Sequence, residues 1–238
     1  MTTPKKLDVV YFVKDGPNEE LRYSLRSVEK NLNHRSVWIY GGKPQGIKPD
    51  HFVRIPQNTN IGTKWDRVRS MMREVCLNDK ITEDFILFND DFYVMQKTEE
   101  ITPVYRCPLA DHIITLEANY QNRQTEYSLE LRKAYKKLID IEKPTLSYEL
   151  HTPIVLNRHK LLEVMGAFPD GHCTRTLYGN YWQIGGEQTK DCKIFKQDQE
   201  IDKTMRFLSS EDSVFEASGM REYIAEQFPE KSRFEIDG

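Results

Sequence analysis

Phe85-Ile86-Leu87-Phe88-Asn89-Asp90-Asp91 is the stretch on which the fold turns. Four apolar residues, two of them aromatic, run straight into two adjacent carboxylates. The apolar run reads as a buried strand. If the strand continues past it, alternation puts Asp90 and Asp91 on opposite sides, so that one points into a cleft. Ligands of open α/β sheets bind beyond the carboxyl ends of the strands. Carboxylate oxygens there suit Mg²⁺ or Mn²⁺. The same letters also fit a polar turn between hairpin strands, and the pattern alone leaves both readings open.

Upstream, Asp8 to Val13 is a second buried strand, broken by Asp15-Gly16-Pro17-Asn18. Asn18 reads as a helix N-cap, with Glu19 and Glu20 at the positive end of the helix. Leu21, Leu25, Val28 and Leu32 give it one apolar face. Ser36 to Tyr40 reads as a strand ended by Gly41-Gly42, and Phe52 to Ile55 as a weaker one. Trp65, Val68, Met72 and Val75 mark another amphipathic helix. This alternation predicts an α/β fold with a mostly parallel central sheet flanked by helices. Downstream, Phe92 to Met95 prolongs the Phe85 strand. Tyr127, Leu131, Ala134 and Leu138 mark a helix within an otherwise irregular stretch from 96 to 150. Leu161, Leu162 and Met165 mark a short helix after Asn157. Gly171 to Gly186 reads as loops, and Phe215 to Phe228 as a last helix. With no repeat, low-complexity segment or linker, residues 1–238 read as a single domain.

The 238 residues are 38% hydrophobic, 30% charged and 11% aromatic, which predicts a soluble globular chain. There is no apolar run long enough for a membrane span. Met1 to Lys6 is polar and carries no secretory signal. The four cysteines form no CxxC pair or common zinc spacing, so they read as reduced thiols in a cytoplasmic protein. A net charge of −3 argues against sequence-nonspecific nucleic-acid binding, although 34 Lys and Arg leave a local basic groove open.

His151 precedes Thr152-Pro153, and proline keeps the preceding residue out of helix. The imidazole therefore sits in an extended or turn segment, where it suits a general base near neutral pH or a satisfied structural histidine. Arg22, Arg26, Lys64, Arg67 and Arg69 offer charge to a diphosphate or simply line solvated helix faces. Glu211-Asp212 precedes the last helix, with Asp212 as its cap in the plainer reading.

Taken in order, these segments resemble four blocks of the Stealth family of sugar-1-phosphate transferases, which includes bacterial capsule polymerases. The first block is Asp8-Val9-Val10-Tyr11 with Asp15-Gly16. The second opens at Asn18-Glu19-Glu20-Leu21-Arg22-Tyr23-Ser24-Leu25-Arg26-Ser27-Val28-Glu29 and closes at Phe88-Asn89-Asp90-Asp91. The third is His151-Thr152-Pro153 with Asn157-Arg158 and Phe168-Pro169. The fourth is Phe207-Leu208 with Glu211-Asp212, ending in Phe228-Pro229-Glu230-Lys231-Ser232-Arg233-Phe234-Glu235. The chain departs from the pattern where Phe12, Val13 and Lys14 follow Tyr11. It has Glu211-Asp212 in place of Asn-Asp, and Arg175 directly after Thr174.

The resemblance implies a GT-A-like fold, a nucleotide-sugar donor and a hydroxyl acceptor such as a glycan. It implies Mn²⁺ or Mg²⁺ on Asp90 and Asp91, and catalysis by His151 with Glu211 and Asp212. It implies donor contacts from Asp15, Arg22, Arg26, Asn89, Asp90 and Arg175. Three functions remain open on the sequence. The first is transfer of sugar-1-phosphate, releasing a nucleoside monophosphate. The second is transfer of the sugar alone, releasing a diphosphate, to a glycan or a hydroxylated DNA base. The third is a noncatalytic carbohydrate- or nucleotide-binding module.

Overall fold

The computed structural model describes residues 5–56, 62–217 and 219–236. The N-terminal half runs β1 (Leu7–Val13), α1 (Glu19–Asn31), β2 (His34–Gly41), β3 (His51–Arg54), α2 (Lys64–Leu77), β4 (Asp84–Phe88) and β5 (Phe92–Val94). It continues through β6 (Val104–Tyr105), α3 (Leu109–Asn119) and α4 (Glu126–Asp140). The remainder is β7 (Ile154–Asn157), α5 (Arg158–Ala167), α6 (Thr174–Tyr181), β8 (Glu187–Gln188), β9 (Lys193–Ile194), β10 (Phe207–Ser210), α7 (Asp212–Ala217) and α8 (Met220–Gln227).

The main sheet has the order β3-β2-β1-β4-β7. All its pairs are parallel except β4 with β7. The chain builds outward from β1 to β2 and β3, then crosses back through α2 to lay β4 on the other edge of β1. The strand order therefore reverses between β1 and β4. In an open α/β sheet a ligand crevice forms at such a reversal, beyond the carboxyl ends of the strands. The register Tyr11↔Phe88 aligns those two ends.

Both faces of the sheet are covered, and alternation along each strand sorts the side chains. Val9, Tyr11, Ile86 and Phe88 pack with Leu21, Leu25 and Val28 of α1. Val10, Phe85 and Leu87 pack with Met72 and Val75 of α2 and with residues of α4 to α6. Asn18 caps α1 as its sequence predicts, accepting 2.8 Å from the Leu21 amide. A smaller sheet, β5-β10-β9, packs Tyr93 and Leu208 against Phe215, Met220 and Ile224 of α7 and α8.

Five expectations need correction. The strand through Phe88 does not continue to Met95, because the chain turns at Asn89–Asp91 and β5 joins the smaller sheet beside β10. Nor do β4 and β5 form a hairpin. The stretch from Gly171 to Gly186 contains α6, whose residues from Thr174 to Asn180 are all buried. A helix buried on every side shows no amphipathic period. Its Gly179 is required by packing, since a Cβ there would lie 2.4 Å from the Tyr148 ring. Within 96–150, α3 joins the expected α4. The last helix is two, divided at Gly219, whose φ of +72° is left-handed; Ser218 lies outside the described residues.

Candidate functional site

The turn after β4 aims its two carboxylates at different neighbours. Asp90 turns toward the start of α1, where the Asn18 side-chain amide donates to its Oδ2 at 2.7 Å. One N-cap residue thus starts the helix and holds the acid. Asp91 is buried beneath the smaller sheet. Its Oδ2 accepts from Ser209 Oγ at 2.7 Å and from Lys193 Nζ at 3.2 Å. The same ammonium lies 3.2 Å from Glu211 Oε2. Glu20, in the first turn of α1, accepts from Ser210 Oγ at 3.0 Å.

Negative charge accumulates here. Burial pushes the Glu20 carboxyl up to about 8, and Asp91, Asp212 and Asp90 add to the rise. Burial also raises Asp90, and Asp91 adds to that rise against the Asn18 hydrogen bond. Among the described residues the fully buried Tyr93 hydroxyl has no hydrogen-bond partner. It feels the charges of Glu20, Asp91 and Asp90 and lies beside Ser210.

His151 occupies a bend just before β7, as Pro153 predicts. Asp191 holds it twice: Oδ2 lies 2.8 Å from the ring Nδ1, and Oδ1 accepts from the His151 amide at 3.1 Å. An ionised carboxylate only accepts, so Nδ1 carries a proton, and in the neutral ring Nε2 keeps the lone pair. Nε2 makes no hydrogen bond among the described residues, and the side chain is 31% exposed. Burial would raise Asp191, but its bonds to His151 and the charges of His151 and Arg106 hold it well below the usual carboxylate range. Arg106 Nη2 also donates to it. An open hollow of about 540 Å³ beside Asp191 is lined by Arg106, Gln188, Thr189 and Lys190.

Asp191 and Lys193 are separated only by Cys192. One residue orients His151 and the other neutralises Asp91, so a three-residue strip joins the two halves of the site. Neither residue stands out in the sequence. Short irregular strands carry no period, and Asp191 lies 40 positions from the histidine it serves.

The remaining sequence candidates divide clearly. Arg175 is buried and its Nη1 donates to the carbonyls of Leu150 and Thr152, at 2.9 and 2.6 Å, so it braces the backbone on either side of His151. Arg26 makes a bidentate pair with Glu235, 2.7 Å on both arms. Arg22 leans on the same carboxylate at 3.8 Å. Together with fully buried Phe234, Glu235 clamps the C-terminal segment to α1. The long opening of the second block and the ending of the fourth therefore meet as a structural joint. Arg69 donates to the carbonyls of Gly171 and Phe168, each at 2.8 Å. Asp15 lies beyond β1 and accepts from Arg54 and from the Lys43 amide. Exposed Asn89 opens the turn, its carbonyl accepting from the Phe92 amide at 3.3 Å. Asp212 is not a cap: it is the first residue of α7, and Glu211 precedes it.

Among the described residues, no group of three or more His, Cys, Asp or Glu side chains is arranged to hold a metal ion. A Mg²⁺ or Mn²⁺ site that shares its ion with substrate phosphates needs only one or two protein carboxylates. Asp90 and Asp91 meet that requirement. Their hard oxygens, the carboxylates gathered around Glu20, and the orphaned Tyr93 hydroxyl fit such an ion. No helix is long and apolar enough to cross a membrane among the described residues.

No protein-family model matches the chain, and no curated protein sequence matches it.

Proposed function

We propose that this chain is a transferase that uses a nucleotide-sugar donor and delivers sugar-1-phosphate to a hydroxyl acceptor such as a glycan. The observation that carries the reading is the strip Asp191-Cys192-Lys193, which ties a histidine with one free ring nitrogen to an acidic turn at the sheet's strand-order reversal. The ordered resemblance to the Stealth blocks supports it independently.

In this reading His151 Nε2 takes the proton of the acceptor hydroxyl as its oxygen attacks the phosphorus next to the sugar. The bond from that phosphorus to the nucleoside-side oxygen breaks, and a nucleoside monophosphate leaves. Asp191 keeps the Nδ1 proton in place and stabilises the imidazolium that forms. Arg175 holds the backbone around His151 still. Asp90 and Asp91 would hold the Mn²⁺ or Mg²⁺, which would supply positive charge to the donor phosphates. Glu211 and Asp212 border the acidic side of the site.

The test is to incubate the protein with Mn²⁺ and a panel of nucleotide sugars, then identify the nucleotide released. Monophosphate release supports sugar-1-phosphate transfer. Diphosphate release makes the protein a glycosyltransferase, and binding without release makes it a noncatalytic module.

A further inference from the structure

Lys193 is unusual among the cations of this protein. Arg26, Arg54 and Arg106 each pair with one carboxylate, and Arg69 and Arg175 donate to backbone carbonyls. Lys193 lies inside the acidic cluster, with 12% of its side chain exposed, and its ammonium bridges Asp91 and Glu211 at 3.2 Å each. Asp91 sits at the centre of that arrangement: Ser209 and Lys193 both engage its Oδ2. The backbone fixes the lysine there, because Ser209 pairs with Lys193 across the parallel β9–β10 ladder. Beside the cluster, Tyr93 presents a buried hydroxyl without a partner, so the polar groups of the pocket are not all satisfied by the protein.

We propose that Lys193 is an exchangeable counter-cation. It neutralises Asp91 and Glu211 until a divalent ion arrives, and that ion must displace the ammonium from Asp91 to bind. This rests on the metal-site reading above. An ammonium is a point charge on a flexible four-carbon stem, which can swing away where a guanidinium fork would stay. The buried pair is also costly to break one-sidedly, because removing the lysine leaves Asp91 without its cation. Lys193 therefore sets how tightly the site takes an ion, and it keeps the acidic turn intact while the site is empty.

The experiment measures Mn²⁺ binding alone, with no nucleotide, from the electron paramagnetic resonance signal of the free ion. It compares the full wild-type chain with Lys193→Met and Lys193→Arg. The expected result is Mn²⁺ affinity about tenfold or more higher in Lys193→Met, since a competing charge-assisted contact is gone. Lys193→Arg, which grips a carboxylate with two donors, is expected to bind about threefold or more weaker than wild type. The arginine variant carries the test by itself if the methionine variant does not fold. A lysine with a purely structural role would lower thermal stability in Lys193→Met and leave Mn²⁺ affinity unchanged. Wild-type binding with no gain in Lys193→Met and no loss in Lys193→Arg overturns the exchange and leaves the metal site standing. Absence of Mn²⁺ binding in all three proteins overturns both.

Discussion

His151 and His172 both face carboxylates, and the difference between them separates a candidate base from a brace. His172 lies between two elements. Its Nδ1 is 2.9 Å from Glu130 of α4, its Nε2 is 3.0 Å from Asp66 of α2, and its ring stacks on Trp65. Both nitrogens are occupied, so no lone pair is available to a substrate. His151 has one nitrogen on Asp191 and the other free, with its ring edge against exposed Phe195. A nearby carboxylate is common to both. What distinguishes His151 is the unengaged nitrogen, its partial exposure and the link through Lys193 to an acidic turn.

The largest expected effect breaks this comparison outright if it fails. His151→Ala is expected to lower the transfer rate by about 100-fold or more, the lower end of what a positioned base contributes. Donor affinity is expected to stay within about threefold, because in the proposed mechanism the cation site and not the imidazole would hold the phosphates. Single-turnover rates and donor titrations on the two proteins check this. A matching loss of affinity would make His151 a phosphate ligand, and an unchanged rate would move the base to Glu211 or Asp212.

Asp191→Asn sharpens the claim that orientation and tautomer matter. An amide offers a donor as well as an acceptor, so it no longer requires the proton on Nδ1. We expect a rate loss of about 10- to 100-fold with little change in donor affinity. The ¹⁵N shifts of His151 are expected to show a mixed tautomer population. A wild-type rate together with an unchanged Nδ1-protonated tautomer would show that Asp191 only packs.

His172→Gln tests the other side. It removes two contacts between α2 and α4, each to a carboxylate, and hydrogen bonds of that kind carry about 1.5–3 kcal/mol. Asp66 is 44% exposed, which discounts its share. A loss of about 2 kcal/mol in urea unfolding is expected, with transfer rate within about threefold of wild type. A hundredfold rate loss in a folded His172→Gln protein would give His172 a part in the chemistry and dissolve the distinction.

These contrasts also explain what could be read from the residues. Asp8–Val13, the Asn18 cap and the α2 face were legible because local periodicity and capping chemistry fix them within a dozen positions. The mostly parallel sheet followed from the strand–helix rhythm, but its order, with the reversal at β1/β4, did not. Asp91 was legible as a carboxylate at a strand end, but its surroundings were not, since Ser209 and Lys193 come from more than 100 residues away. Arg26 read as a diphosphate contact or a solvated helix-face cation, and Arg175 as a donor contact only through the resemblance. Their partners decided their roles, and those partners are a distant glutamate and two backbone carbonyls. Pattern identifies which side chains have chemistry to offer, and only the long-range contacts say which of them are already engaged.

A third histidine sets the smallest effect and extends the comparison to stability. His112 is buried on α3, with Nδ1 2.8 Å from Ser147 Oγ and, among the described residues, no carboxylate on either nitrogen. Burial lowers it from 6.5 to about 4, and the charge of Arg106 contributes. The folded protein thus keeps this ring neutral where the unfolded chain would bind a proton. The unfolded state takes up more protons as pH falls below 6.5, so this stability is present above that value and is lost on acidification toward about 4. Between pH 6.5 and about 5 the loss is about 1.5 kcal/mol from this group alone. The measurement is the difference between wild type and His112→Asn in urea unfolding at the two pH values. Asparagine does not titrate, so the variant is less stable throughout but should lose less on acidification. Equal losses in both proteins would mean that His112 is protonated in the fold, and that burial without a carboxylate does not keep an imidazole neutral here.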